Sequence, residues 1–183
     1  IAISATGMNN VDLQAAAELG IEVKNVSGYS TYSVAEATLC DALSLLKNST
    51  YYDNYFKSGE YAKSERIFNF DRPTAQLRGK RWGIIGMGNI GREVARLAEA
   101  LGCEVAYYST SGIERDEEYN KLSLNELLNS SDVISIHCPL NERTQNLISA
   151  EELAMMKKSA ILINVARGGI VNEAALAEAL DNG

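Results

Sequence analysis

Trp82-Gly83-Ile84-Ile85-Gly86-Met87-Gly88-Asn89-Ile90-Gly91-Arg92 reads as a short buried strand, a glycine turn and the first turn of a helix. Gly86, Gly88 and Gly91 fit the pattern G-x-G-x-x-G. Each glycine answers a different physical need. Gly86 allows a tight turn, Gly88 lets the backbone approach a pyrophosphate closely, and Gly91 lets helix and strand pack closely. The open N–H groups and partial positive charge of a helix N-terminus suit a dianionic bridge. Three glycines alone are weak evidence. The strand before them and the helix after them strengthen it.

From Arg81 onward the pattern alternates strand and helix. Strand 82–85 precedes helix 90–101, whose apolar positions Ile90, Val94, Leu97, Ala98 and Leu101 share one face. Strand 103–108 follows, and Ser123 with Glu126 forms a capping box for a short helix. Val133–Ile136 reads as a strand, and Ser149 with Glu152 forms a further capping box. Ala160–Val165 is a near-continuous apolar strand, as in a parallel sheet covered on both faces. Asn172 caps a last helix running through Leu180. Repeated units of this kind predict an α/β fold with a doubly wound parallel sheet.

Upstream, residues 1–5 read as a strand and Val11–Leu19 as a helix, with Asn9 or Asn10 as N-cap and Gly20 at its end. Residues 21–26 read as another strand. Ser33 and Glu36 are read as a capping box opening a long helix to about Asn48, apolar on most faces and so buried between layers or against another subunit. Residues 50–78 are the least regular. Tyr51, Tyr52, Tyr55, Phe56 and Tyr61 there are expected to cover a core edge or a dimer contact.

Composition narrows the function. A net charge of −7 without a basic stripe argues against nucleic acid and anionic membranes. No apolar run is long enough to span a bilayer, and no signal peptide is visible. Cys40, Cys103 and Cys138 lack metal-ligand spacing and are odd in number, so no metal site is expected and reduced thiols in the cytoplasm are. The chain opens without Met, inside an apparent strand, and stops just after a helical segment, as a piece of a longer protein would.

Several stretches in order resemble the D-isomer-specific 2-hydroxyacid dehydrogenase family. Ala5-Thr6-Gly7-Met8-Asn9-Asn10-Val11-Asp12 resembles the end of its substrate domain, and Ser33-Val34-Ala35-Glu36 the start of its interdomain helix. Gly79–Gly91 is similar to its nucleotide loop. His137-Cys138-Pro139-Leu140 with Thr144, and Asn164-Val165-Ala166-Arg167-Gly168-Gly169-Ile170-Val171, are similar to its two further signature segments. The Gly28–Thr31 loop is most similar to the glycerate dehydrogenase/hydroxypyruvate reductase and D-lactate dehydrogenase branches.

The resemblance implies a Rossmann-type dinucleotide-binding domain over residues 27–183, truncated at its C-terminal end. Residues 1–26 would be a remnant of a flavodoxin-like substrate domain. It also implies a homodimer and reversible hydride transfer between NAD(P) and a small 2-oxo acid. Of the family's catalytic arginine, glutamate and histidine, only the arginine has a counterpart, Arg167. There a planar fork can grip a carboxylate and polarise the adjacent carbonyl. The glutamate and histidine would lie beyond Gly183, so these 183 residues alone are expected to be inactive. The one histidine, His137, is expected to line the cofactor's adenosine side and not to act as the acid. Pro139 would fix the loop beside the cofactor, with Thr144 packing or hydrogen-bonding near it. Ala166 would offer its carbonyl to the carboxamide, and Asn89 and Ile90 would face the pyrophosphate. A regulatory, corepressor-like protein on the same fold remains the alternative. A use of bound NAD like that of adenosylhomocysteine hydrolase lacks its flanking motifs.

One position departs from the NAD pattern. The carboxylate that takes the ribose 2′-hydroxyl belongs roughly 20 residues past the glycines. Ser109 stands there, followed by Thr110 and Ser111. A carboxylate repels a 2′-phosphate; this hydroxyl-rich turn does not, and Arg115 is near in sequence. NADP is therefore expected to be accepted and slightly favoured. The other reading, ordinary turn residues with NAD still bound, stays open.

Overall fold

The computed structural model describes residues 1–112 and 118–183. The chain begins with β1 (Ala2–Ile3), α1 (Leu13–Glu18) and β2 (Lys24–Asn25). The two strands pair in parallel and are much shorter than the pattern implies. The N-cap of α1 is Asp12, whose carboxylate accepts from the Ala15 N–H at 2.9 Å. Asn9 and Asn10 do not cap it. Gly20 ends the helix at φ +65°, as expected of a C′ glycine.

The long helix α2 (Thr31–Lys47) starts earlier than Ser33. Its N-cap is Ser30, which makes no side-chain capping bond. The Thr31 hydroxyl instead donates to the Gly28 carbonyl at 3.1 Å, and the Val34 N–H to that of Ser30 at 2.9 Å. This local turn begins the helix before the expected capping box can. Its buried stripe is Ala35, Thr38 and Ala42. These small residues allow close approach to α5 (Asn89–Ala100), which buries Gly91, Val94, Ala95 and Ala98.

Residues 49–63 are more regular than expected. They form α3 (Ser49–Lys57) and α4 (Glu60–Lys63), neither with a buried residue. Tyr51 stacks on Tyr55 one turn later, centroids 6.4 Å apart, and the Tyr52 hydroxyl donates to the Arg72 carbonyl at 2.7 Å. The aromatics thus pack on one another and pin the following arm.

The main sheet comprises β3 (Arg81–Ile85), β4 (Glu104–Tyr108), β5 (Asn120–Lys121), β6 (Val133–Ile136) and β7 (Ile161–Asn164). Its order is β5-β4-β3-β6-β7, and every pairing is parallel. This is the doubly wound sheet that the alternation predicts; only β5 falls outside the expected pattern. Helices α6 (Leu124–Ser130), α7 (Ala150–Met155) and α8 (Glu173–Asn182) complete the chain. Ser123 and Glu126 make both capping-box bonds, and the Ser149 N–H reaches the Glu152 carboxylate at 3.0 Å. Asn172 caps α8 through the Ala175 N–H at 3.0 Å.

Alternation along the strands divides the core between the two faces. Trp82, Ile84, Val133 and Ile163 pack under α2 and α5. Ile85, Ile134 and Ile136 pack with Leu127, Leu128, Ile148 and Ile170 on the other side. At the amino end of the sheet, Asp132 ties the central strands together. It accepts from the Arg81 N–H at 2.9 Å and from Lys157 Nζ at 3.0 Å, with Lys80 Nζ at 3.9 Å.

Burial alone would raise the Asp132 carboxyl. The Arg81 N–H, the Lys157 hydrogen bond and the charges of both lysines outweigh it and hold the group below its usual range. A carboxylate held low in the folded state contributes stability that is full above its unfolded pKa and is lost as pH falls through the folded one. Asp132→Asn is expected to cost about 1–2 kcal/mol at pH 7, after discounting the partly exposed lysines. Below about pH 4 the difference should shrink as the wild-type carboxylate protonates. Urea melts of both proteins at pH 7 and pH 3 check this.

Candidate functional site

The loop after β3 is shaped by what its glycines lack. Gly86 has φ +98°, and its N–H donates to the Tyr108 carbonyl at 2.9 Å. A Cβ there would stand 2.7 Å from the Cys138 nitrogen and 2.9 Å from its Cα. A Cβ on Gly91 would collide with the Gly86 carbonyl oxygen and come within 3.3 Å of Ile84 Cγ2. The third glycine therefore seats the helix on the turn itself as well as on the strand. Gly88 differs from both. It is the N-cap of α5, in extended conformation, and a Cβ there meets nothing within 4 Å. Among the described residues no side chain caps this helix, so its first N–H groups, from Asn89, Ile90 and Gly91, face the loop without a described capping side chain.

A cleft of about 220 Å³ opens over this loop. Gly86, Gly88, Ser109, Thr110, Ser111, His137 and Pro139 line it, as do Met87, Tyr107 and Cys138. It lies at the carboxyl ends of β3, β4 and β6, where the strand order reverses. Open α/β sheets bind ligands at such a switch point. The three additional lining residues follow from strand alternation and from the approach of Cys138 to Gly86, which requires the tertiary fold. A larger hollow of about 390 Å³ lies along the arm between Tyr55, Arg66, Phe68 and Asp71 and belongs to the aromatic surface.

Ser109 Oγ and Ser111 Oγ are 3.3 Å apart at the end of β4. Arg115, the expected helper of this turn, lies outside the described residues. No carboxylate is among the described residues that line the cleft. Thr144 is fully buried beneath it. Its hydroxyl donates to the Pro139 carbonyl at 2.6 Å and accepts from the Asn141 N–H at 2.8 Å. It holds the loop that carries His137 and Pro139.

His137 is largely buried, and loss of hydration pushes its pKa down to about 4. The ring is neutral at pH 7. Burial also pushes the Cys138 thiol up to about 11. Neither group can exchange a proton readily near neutrality.

The fourth strand end carries Arg167. The Asn164 side chain accepts from the Ala166 N–H at 3.1 Å and donates to the Arg167 carbonyl at 2.8 Å. This turn, to which sequence reasoning assigns no role, sets the arginine's position. Arg167 Nη1 donates to the Ala166 carbonyl at 2.7 Å, the oxygen expected to meet a carboxamide. The guanidinium is exposed and lies against Gly7, where any Cβ would strike Nη2. The loop between β1 and α1 thereby reaches the carboxyl edge of the main sheet.

The geometry fits a dinucleotide: an open approach at Gly88, an uncapped helix end, and a hydroxyl-rich turn beside them. Comparison with known proteins agrees. The family model for the NAD binding domain of D-isomer specific 2-hydroxyacid dehydrogenases matches residues 39–183. The chain is 40% identical to a glycerate dehydrogenase of Methylorubrum extorquens, over all of this chain and 57% of that protein. It is 38% identical to a glyoxylate reductase of Aeropyrum pernix, over all of this chain and 56% of that protein. A crystal structure of D-lactate dehydrogenase from Aquifex aeolicus, complexed with NAD and lactic acid, superposes with a TM-score of 0.90 at 32% identity. That match covers 100% of this chain and 54% of the other. The chain thus spans a little over half the length of these relatives. With its parallel sheet, its glycine cleft and the match over residues 39–183, the chain belongs to the D-isomer specific 2-hydroxyacid dehydrogenase family, whose NAD-binding domain it carries.

Proposed function

We propose that the chain binds NAD(P) in the glycine cleft and, within the whole protein, takes part in interconverting a small 2-oxo acid and its 2-hydroxy acid. The observation that carries this is the placement of Arg167 on the turn after β7, at the same carboxyl edge of the sheet as the cleft and facing the loop that contains Gly7. Residues 1–26 are read as the substrate-domain part and 27–183 as the nucleotide domain. The bound nicotinamide supplies or accepts the hydride.

The chain's own residues bind and orient. Asn89, Ile90 and Gly91 offer the N–H groups of α5 to the pyrophosphate, and Gly88 leaves room for it. Arg167 holds the substrate carboxylate through two parallel hydrogen bonds and draws charge from the neighbouring carbonyl. Pro139 and Thr144 fix the wall opposite the helix. Ser109, Thr110 and Ser111 accept a 2′-phosphate more readily than a carboxylate would, which supports use of NADP. Relatives named glycerate dehydrogenase, glyoxylate reductase and D-lactate dehydrogenase support a short 2-hydroxy acid as substrate. Among the described residues no helix is long and apolar enough to cross a membrane. The free thiols of Cys40, Cys103 and Cys138 suit the cytoplasm. Exposed Tyr32 and Leu45 on α2, with Phe56, Phe68 and Phe70 on the following segment, supply apolar surface for a homodimer.

Three outcomes are expected. Gly88→Ala should melt like the wild type yet bind NAD(H) at least tenfold more weakly, because its methyl occupies only ligand space; Gly91→Ala should lose roughly 1–3 kcal/mol of stability through its collision with the Gly86 carbonyl. Thermal melts and calorimetric titrations separate the two. Ser109→Asp should shift preference toward NAD, measured as the ratio of NADP to NAD dissociation constants; an unaltered ratio, or strong wild-type preference for NAD, counts against the 2′-phosphate reading. In the whole protein, Arg167→Gln should lower kcat/KM for 2-oxo acids roughly hundredfold, as expected for loss of a charge-assisted pair worth about 3 kcal/mol, while cofactor affinity holds. Steady-state kinetics check it.

A further inference from the structure

Trp82 Nε1 lies 2.9 Å from Ser135 Oγ, and Ser135 Oγ lies 3.0 Å from His137 Nε2. Strand register makes this line possible. Trp82 pairs with Val133 and Ile84 with Ser135, so Trp82 and Ser135 are diagonal neighbours on one face of β3 and β6. His137 continues that face two residues further. Trp82 and Ser135 are both fully buried.

Hydrogen-bond chemistry orders the protons along the line. An indole N–H only donates, so the Ser135 oxygen accepts from it. The serine hydroxyl then has its own proton to place. Among the described residues, His137 Nε2 is the other atom bonded to it. A buried hydroxyl proton without an acceptor is costly, so Nε2 is the acceptor and the ring proton sits on Nδ1. Nδ1 is buried and has no partner among the described residues. The only other buried side-chain atom so placed among them is Ser131 Oγ, which packs over Gly83 at the far end of the strand.

We infer that Trp82 and Ser135 fix His137 as the neutral tautomer protonated on Nδ1, and thereby set the orientation of a ring that lines the glycine cleft. Its bearing on the nucleotide rests on the cofactor reading above. Trp82 and Ser135 are positioning residues: they act only through the ring. The burial that keeps the ring neutral acts in the same direction. A protonated ring would set Nε2–H against the serine proton, so the line also opposes an imidazolium.

His137 is the one histidine of the chain, which makes the test direct. The untagged 183-residue chain is labelled with ¹⁵N-histidine, and two-bond proton–nitrogen spectra read the tautomer at pH 7. The expected wild-type spectrum is the Nδ1–H form. Adding NAD should shift the ring resonances and leave the protonation pattern unchanged. Trp82→Phe keeps an aromatic ring but removes the donor; it should mix the tautomers and weaken NAD binding about fivefold to tenfold. Ser135→Ala should do the same, with Ser135→Thr restoring the Nδ1–H form. A wild-type Nε2–H form or an imidazolium at pH 7 overturns the proton order, and neither variant is needed to see it. NAD binding by calorimetry with unmoved ring resonances overturns the ring's place in the wall of the nucleotide site. No NAD binding at all overturns the cofactor reading, while the unliganded spectrum still judges the tautomer.

Discussion

The carboxyl edge of the sheet depends on one steric constraint, the bare contact between the backbones of Gly86 and Cys138. Up to Ile85 and Ile136 the two strands run in register. Beyond that pair they part. The Gly86 N–H turns to Tyr108 of β4, while the His137 N–H still returns to the Ile85 carbonyl at 2.8 Å. The turn therefore leans on the β6 loop without bonding to it. A methyl group at Gly86 would push Cys138 away, and His137 and Pro139 with it. Gly91 repeats the same logic one turn later, where α5 sits directly on the Gly86 carbonyl. Strand, turn, helix and opposite loop are held at one spacing by absent side chains, and the cleft is the space that this spacing leaves.

The two ends of the sheet solve their polar problems differently. At the amino end a charged clamp, Asp132 with Lys80 and Lys157, joins the central strands. At the carboxyl end the buried polar groups are neutral. Trp82, Ser135 and His137 form one line and Thr144 closes the loop after it, while the exposed Asn164 shapes the turn before Arg167. Neutral groups suit a place where an anionic ligand brings its own charge, since a fixed carboxylate there would repel it. A protein of net charge −7 can hold a dianion because its acidic groups do not line the described walls of this cleft.

Much of this was legible in the residues. G-x-G-x-x-G followed by a helical period located the cleft, and the apolar runs around residues 133 and 161 located the sheet's interior. What was not legible had specific causes. Asp12 outcompetes Asn9 and Asn10 as a cap because the Val11 N–H bonds to the Met8 carbonyl and holds the asparagines in a preceding turn. Ser33 lost to a local bond from Thr31 to Gly28 that begins the helix sooner. The helices over residues 49–63 bury nothing, so no apolar period announces them; stacked tyrosines one turn apart hold them instead. Ser135 carried no signal as a lone hydroxyl in an apolar strand. Its role appears only when β3 and β6 are placed in register and Trp82 becomes its diagonal neighbour. Arg167 stood out through its motif, but its contact with Gly7 joins residues 160 positions apart and belongs to the tertiary fold alone.

The titratable groups of the site share a property that bears on its work. His137 is held down near 4 and the Cys138 thiol up near 11, so both keep one protonation state across the neutral range. These two side chains present the same charge to a ligand whatever the pH between those limits. A good acid or base has its pKa near the working pH, and neither His137 nor Cys138 meets that condition. These two side chains therefore suit binding and orientation.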